Sequence, residues 1–314
     1  MTNIRDIARE SGYSVSTVSR VLNHRKYVSP AVRDHIEQVM QQLNYVPNAV
    51  ARDLSSGHTK KIGVALAMVA HPYYTTLVKG ITKAAFEEGY QVTLLPTDYD
   101  AKLERRYLEQ LRQHAFDGLI FTSHSMPISE IAAAQAFGPV VVCQDPGSVT
   151  IPAAFTDRQA SYHEAFAWIR QAGYQRVGLM LPRDPNVSAT ASAMVQAYTS
   201  VIGAAPAAEL TWIGSMAYAD GLKAGALFAA NGADFVFANG DDIALGVHDY
   251  YQQNNLPLPG LMGQENQVSS ALLGISTIDH HFQAVGRAAL ALATGAKTGQ
   301  IKIASDFIAR PYYC

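Results

Sequence analysis

The chain opens on a short-period apolar pattern. Ile4, Ile7 and Ala8 fall at i, i+3 and i+4, one face of a helix that Asn3 would cap, with Asp6 three residues on. Gly12-Tyr13 breaks that helix, Ser14 offers a second N-cap, and Val18, Val21 and Leu22 repeat the stripe. Two short helices across a tight glycine-containing turn predict a helix-turn-helix. Ser29-Pro30 predicts the start of a third helix, buried through Val32, Ile36, Val39, Met40 and Leu43 and stopped at Asn44-Tyr45-Val46-Pro47. After Pro47, Asn48 can cap only a brief helical piece ending at Leu54, too short to be stable alone. Ser55-Ser56-Gly57-His58 reads as a linker.

From Lys61 the texture changes to apolar runs alternating with amphipathic stretches. Strands are predicted at 62–67, 91–96, 118–122, 139–143, 176–180, 209–214, 235–238 and 261–264. This β-α alternation predicts parallel, doubly wound sheets. AAFEEGYQVTLL (84–95) and EAFAWIRQAGYQRVGLM (164–180) each run from a helix through Gly-Tyr-Gln into a strand, an internal repeat that predicts two similar subdomains.

The outer face of the second helix carries Val15, Ser16, Thr17, Ser19, Arg20 and Asn23 rather than the Lys and Glu of an ordinary solvated face. Small hydroxyls and one arginine suit close approach to a nucleic-acid groove. Ser14, Thr17, Ser19 and Asn23 can donate to phosphates, Val15 and Ser16 sit in the first turn where base edges are touched, and Arg20 can fork onto a guanine.

The run IRDIARESGYSVSTVSRVLNHRKYVSPAVRDHIEQVMQQLNYVPNAVARDLSSG, continuing into KIGVAL, resembles the N-terminus of the lac repressor (LacI/GalR) family without gaps. The resemblance implies an α-helical helix-turn-helix head on an α/β periplasmic-binding-protein-like core of two doubly wound subdomains. It implies a homodimeric regulator, a repressor, on double-stranded operator DNA, with Tyr27, Ser29, Asn48 and Ala51 added to the DNA contacts. Leu54 matches the family's leucine that wedges into a central base step. Docking of Leu54 on the core is the other reading of the residue itself. The expected division is 1–47 for the head, 48–60 for hinge helix and linker, 61–157 with 280–308 for the N-terminal subdomain, and 158–279 with 309–314 for the C-terminal one. Crossings between them are expected near 156–159, near 278–281 and after about 308.

Open α/β sheets bind ligands where strand C-termini meet. The loops expected there hold His71, Tyr73, Phe155, Asp157, Asp241 and Glu265, aromatic plates and carboxylates that suit a small-molecule effector such as a sugar. Each has a plainer reading: Asp241 is a good helix N-cap, Tyr73 fits a core or an interface, and Glu265 fits a surface loop. Sugar-responsive relatives carry an arginine on the helix near 188–202, whereas SATASAMVQAYTSV has none, with Met194 or a neighbour in that place. Gly240 stands where many relatives have Asn, and Glu265 where many have Asp. Either the effector differs from a simple hexose, or the pocket is degenerate and a protein partner exerts control.

Charge sharpens the division. Residues 1–60 hold eight Lys or Arg against five Asp or Glu, and the remainder 16 against 21, within a total of 24 and 26. A mildly basic head on an acidic body fits a DNA-reading unit attached to a larger domain. No Gly-rich phosphate loop, GxSxG or HExxH appears, so no enzyme and no cofactor is expected. Cys143 and Cys314 have no metal spacing. The first residues lack a signal-peptide pattern and no run could span a membrane, so a cytoplasmic protein is expected. The tail RPYYC carries no heptads, and a dimer is expected over a tetramer.

Overall fold

The computed structural model describes residues 2–23, 27–48, 53–54, 56–69 and 71–311, which form two compact units divided at Thr59/Lys60. In the first unit, α1 is Ile4–Ser11, α2 is Val15–Leu22 and α3 is Pro30–Gln42. Asn3 caps α1 reciprocally: its Oδ1 accepts from the Arg5 and Asp6 amides at 2.8 and 3.3 Å, and Asp6 Oδ2 accepts from the Asn3 amide at 3.0 Å. Gly12 ends the helix at φ 71°, a left-handed conformation that a side chain disfavours. Ser14 Oγ then accepts from the Thr17 amide at 3.2 Å. Ser29 departs from expectation, since its side chain makes no capping bond and Pro30 supplies the start of α3 instead. Ile7, Val18 and Ile36 are fully buried with Ala8, Val21 and Val39, so each helix gives its stripe to one small core.

Asp53, Leu54 and Ser56 have helical backbone, and the Gly57 amide donates to Asp53 O at 2.9 Å. The expected hinge residue Ala51, and Cys314, lie outside the described residues.

The second unit runs β1 Lys61–Leu66, α4 Pro72–Glu87, β2 Gln91–Pro96, α5 Ala101–Arg112, β3 Gly118–Phe121, α6 Ile128–Ala133, β4 Val140–Val142 and β5 Ala153–Asp157. It continues through α7 Gln159–Gln171, β6 Val177–Leu181, α8 Ala189–Ile202, β7 Thr211–Ile213, α9 Tyr218–Ala230, β8 Phe235–Phe237, α10 Asp241–Gln253 and β9 Gly260–Met262. It closes with α11 Val268–Leu273, β10 Thr277–Asp279, α12 Phe282–Ala293, β11 Gln300–Ala304 and β12 Asp306–Ile308. One parallel sheet has the order β11-β5-β4-β3-β1-β2, the other β7-β6-β8-β9, and β10 pairs antiparallel with β12.

The central strands β1, β3, β4, β6 and β8 are buried on both faces, as parallel sheets covered by helices require. Ile62, Val64, Ile120 and Val141 face α4 and α12, while Ala65, Leu119, Phe121, Val140 and Val142 face the other way. In the second sheet Leu179, Phe235, Phe237 and Met262 enter one core, and Met180, Val236 and Leu261 the other. Sequence patterning therefore found these strands but not β5, β10, β11 and β12. Residues 155–157, expected in a loop, end a strand. The last return also comes earlier than expected: β11 stops at Ala304, and after Ser305 the chain pairs with β10, so residues 306–308 leave the six-stranded sheet and Phe307 packs with the second lobe's core.

Helices meet through glycine. A Cβ on Gly246 would lie 2.2 Å from Tyr218 O and 3.0 Å from Gly221 Cα, both backbone atoms of α9. Alanine at Gly246 gains under about 1 kcal/mol of helix propensity, but forcing α9 and α10 apart costs about 1–3 kcal/mol. The clash wins. Gly246→Ala is therefore expected to lower the urea midpoint, and an unchanged or higher midpoint would show that the two helices separate freely.

Candidate functional site

The outer face of α2 is open to solvent among the described residues. Val15, Ser16 and Arg20 are exposed on α2, Val15 by 43%. Ser14 Oγ lies 2.8 Å from Ser16 Oγ and 2.9 Å from Thr17 Oγ1, so three hydroxyls cluster at the helix N-terminus, where the backbone dipole favours an anion. The Asn23 amide folds back, donating to Ser19 O at 2.9 Å and Ser19 Oγ at 3.3 Å. Arg20 makes no ion pair or hydrogen bond with the described residues, so its guanidinium fork is uncommitted. Tyr27 and Leu54 are 94% and 86% exposed, and Ser29 is exposed too.

In the second unit the C-terminal ends of both parallel sheets open on one cavity of about 470 Å³, within the range of small-molecule sites. Its walls come from the ends of β3, β4 and β5 on one side and of β6, β8 and β9 on the other, with the first turns of α8. His71, Tyr73, Phe155, Asp157 and Glu265 all line it.

Two expected contacts do not. Met194 is buried in the core under the second sheet, because its position on α8 points it inward; Ser192, Ala193 and Gln196 take the cavity side. Asp241 is fully buried and its carboxylate is used internally. It accepts from the Gln267 amide at 2.6 Å, Ser270 Oγ at 2.7 Å and Thr277 Oγ1 at 2.7 Å. Burial nevertheless pushes its pKa up to about 6. Arg310 braces the same loop by donating to Ser270 Oγ and Ile275 O, each at 2.9 Å. Asp241 thus positions the segment that carries Glu265 rather than touching a ligand.

A row of rings forms one wall. Tyr73 meets Phe282 edge-on at 4.7 Å and Tyr74 at 4.7 Å, and Tyr74 Oη lies 2.9 Å from Tyr99 Oη. Tyr73 Oη donates to Thr122 O at 2.8 Å, which fixes the ring. An arginine closes each end: Arg183 over Tyr99 at 4.6 Å and Arg158 over Phe282 at 5.5 Å. Neither arginine lies on α8, where the family carries one; they follow β6 and β5. Their position immediately after an apolar strand, at the edge where ligands bind, was the available signal. Asn239, just before Gly240, also lines the cavity, so an amide lies beside the position expected to lack one. Glu104, wholly buried on α5, accepts from the Ser125 and Met126 amides at 2.7 and 2.8 Å and pins the loop that follows Thr122 and Ser123.

Glu265 sits at φ 96°, a region costly for a side-chain residue and concentrated at functional sites. Its Oε2 accepts from Gln267 Nε2 at 2.7 Å, and its Oε1 is 4.0 Å from His71 Nδ1, which is already accepting from the Tyr73 amide. Burial, then the neighbouring Asp241 charge, push the Glu265 carboxyl up to about 8. Asp157 behaves oppositely: Lys302 Nζ at 2.8 Å holds it below the usual carboxylate range.

Glu265 predicts a pH dependence. An acid whose folded pKa is raised binds its proton more tightly folded than unfolded, so stability falls as pH climbs toward about 8. His71, His124 and His280 are held neutral by burial, below their ordinary 6.5, and act with the opposite sign only below that pH. The interval above it belongs to Glu265. Urea unfolding is expected to show a loss of about 2 kcal/mol between pH about 6.5 and 8.5, absent in Glu265→Gln. A flat profile in the unsubstituted protein would mean that Glu265 is ionised throughout.

Comparison with known proteins places these features. Residues 3–48 match the family of bacterial regulatory proteins of the lacI type, and residues 59–310 match the periplasmic binding proteins and sugar-binding domain of the LacI family. The chain is similar to catabolite control protein B of Bacillus subtilis, with 38% identity over 98% of this chain and 99% of that protein. It is similar over 45% of its length to the ribose operon repressor of Escherichia coli, at 37% identity. Among solved structures, the lac repressor dimer bound to operator and an anti-inducer shares the fold at TM-score 0.83, with 20% identity and 98% of both chains covered. The chain belongs to the LacI family of bacterial transcription regulators.

Proposed function

We propose that this regulator represses transcription by binding a pseudo-palindromic operator as a homodimer, and that a polyhydroxylated metabolite in the interlobe cavity sets its affinity for that operator. The outer face of α2 carries the DNA half of the reading: an uncommitted Arg20 beside exposed Val15 and Ser16, with hydroxyls gathered at the helix N-terminus. Arg20 reads a base edge, Ser14, Thr17, Ser19, Asn23, Tyr27 and Ser29 hold phosphates, and Asn48 and Leu54 act at the hinge. The exposed Leu54 side chain supports the wedge reading.

The cavity supports a small-molecule signal over control through a degenerate pocket. A collapsed pocket would have its polar walls satisfied by one another. Here Arg158 Nη1 and His280 Nδ1 are buried on lining residues without a partner among the described residues. By linkage, such a ligand shifts operator affinity by its differential affinity for the two conformations, and by no more. No helix among the described residues is long and apolar enough to cross a membrane. We place the regulator in the cytoplasm, where its operator lies, and assign it no chemical reaction.

Arg20→Ala is expected to lose roughly 1–3 kcal/mol of operator affinity and to relax the preference at one base pair. Binding to sequences selected by each protein checks this; an equal loss on all sequences would make Arg20 a phosphate contact. Leu54→Ala is expected to bind a straighter operator, measured by circular-permutation gel shift, and an unaltered bend would remove the wedge.

A further inference from the structure

Arg158 is a charge without a counter-charge. It follows β5 at the first crossing between lobes, lines the cavity, and lies over the Phe282 ring at 5.5 Å. Its guanidinium makes no hydrogen bond or ion pair with any described residue, and its Nη1 is buried without a partner among them. Desolvating a charged donor without replacing its bonds is costly. A fold keeps such a group where something outside the protein completes it.

The surrounding groups do not complete it. The adjacent carboxylate, Asp157, is taken by Lys302 at 2.8 Å. Glu265 lies within electrostatic reach of Arg158 but forms no ion pair with it, and its burial favours the protonated form. His280 directs Nε2–H at Gln264 Oε1 at 2.8 Å, and its burial holds it neutral. Tyr73 is buried and held un-ionised. At the far end of the ring row, Arg183 rests on Tyr99 and likewise has no carboxylate partner among the described residues. Arg158, Arg183 and Lys302 line the cavity with Asp145, Asp157 and Glu265, and the two arginines are the lining cations that form no ion pair among the described residues.

A neutral sugar would give Arg158 only hydroxyl oxygens. An anionic oxygen would also cancel its charge, in the charge-assisted and often bidentate geometry that guanidinium favours. We propose that the effector is an anionic sugar, a sugar phosphate or a sugar acid, whose charged group pairs with Arg158 while its hydroxyls meet the carboxyl of Glu265 and the ring row. This rests on the reading of the cavity as the effector site.

Titration calorimetry on the full chain tests it with glucose 6-phosphate, ribose 5-phosphate and gluconate beside glucose and ribose. At least one anionic probe is expected to bind about tenfold or more tighter than its neutral parent, the usual worth of a hydrogen bond to a charged group. Gluconate against glucose 6-phosphate separates a carboxylate from a phosphate. Arg158→Gln is expected to weaken that probe by a similar factor, to leave any weak binding of glucose or ribose unaltered, and to melt no lower than the unsubstituted protein. Arg158→Lys, which keeps charge but not the fork, is expected to fall between. Neutral sugars binding as tightly as anionic ones, or an anionic probe indifferent to both substitutions, would overturn the anionic assignment and leave the effector reading standing. No binding by any probe, with operator affinity unmoved by all of them, would remove both.

Discussion

Parallel order in the two sheets is the constraint from which the rest of the core follows. Strands that run the same way put every C-terminal end on one edge, and the helices covering both faces leave that edge as the place where loops converge. Two such edges face each other here, so Thr122, Gln144 and Asp157 from one sheet meet Arg183, Asn239 and Glu265 from the other. No single loop builds the cavity. Its chemistry depends on where strands stop, and the strands stop where their burial on both faces ends.

Holding those groups in place takes residues that never touch a ligand. Asp241 gathers Gln267, Ser270 and Thr277, Arg310 ties the same loop to the last crossing, and Glu104 fixes the turn after β3. Each is a charged group whose bonds are made to protein, Asp241 and Glu104 fully buried and Arg310 partly so. The lining groups are the reverse: Glu265 is held at a strained φ with a raised pKa, and Arg158 and His280 retain unmade bonds. Stability is concentrated behind the wall and withheld from its surface, the usual division between a site and its support.

Most of the fold was legible in the sequence. The head was readable because its signals are local: the Asn3 and Ser14 caps, the Gly12 turn and three apolar stripes all lie within a few residues of their partners. The core strands were readable as unbroken apolar runs. β5, β10, β11 and β12 were not: Ala153–Asp157 mixes small and polar residues, Thr277–Asp279 and Asp306–Ile308 are three-residue crossing strands, and Gln300–Ala304 alternates but is a short edge strand. Within the site, His71, Tyr73, Phe155, Asp157 and Glu265 line the cavity, whereas Asp241 and Met194 lie behind its wall. Whether a side chain faces a cavity or the core depends on a helix's rotation, and tertiary packing decides that. The two arginines were missed because the expected one was sought on a helix.

The crossings carry a consequence for how the protein is made. The second lobe's four-stranded sheet is contiguous, running from Val177 to Met262. The first lobe's sheet is not: β11, its edge strand, ends at Ala304, and α12, which packs on α4, begins only at Phe282. Ser305 then fastens the last crossing to the first, donating to Asp157 O at 2.6 Å and lying 2.6 Å from Ser161 Oγ. During synthesis the first lobe must wait, one edge and one face uncovered, while the second lobe's four-stranded sheet emerges. The lobe that begins the core is completed only after that sheet, and β12 then returns to the second lobe.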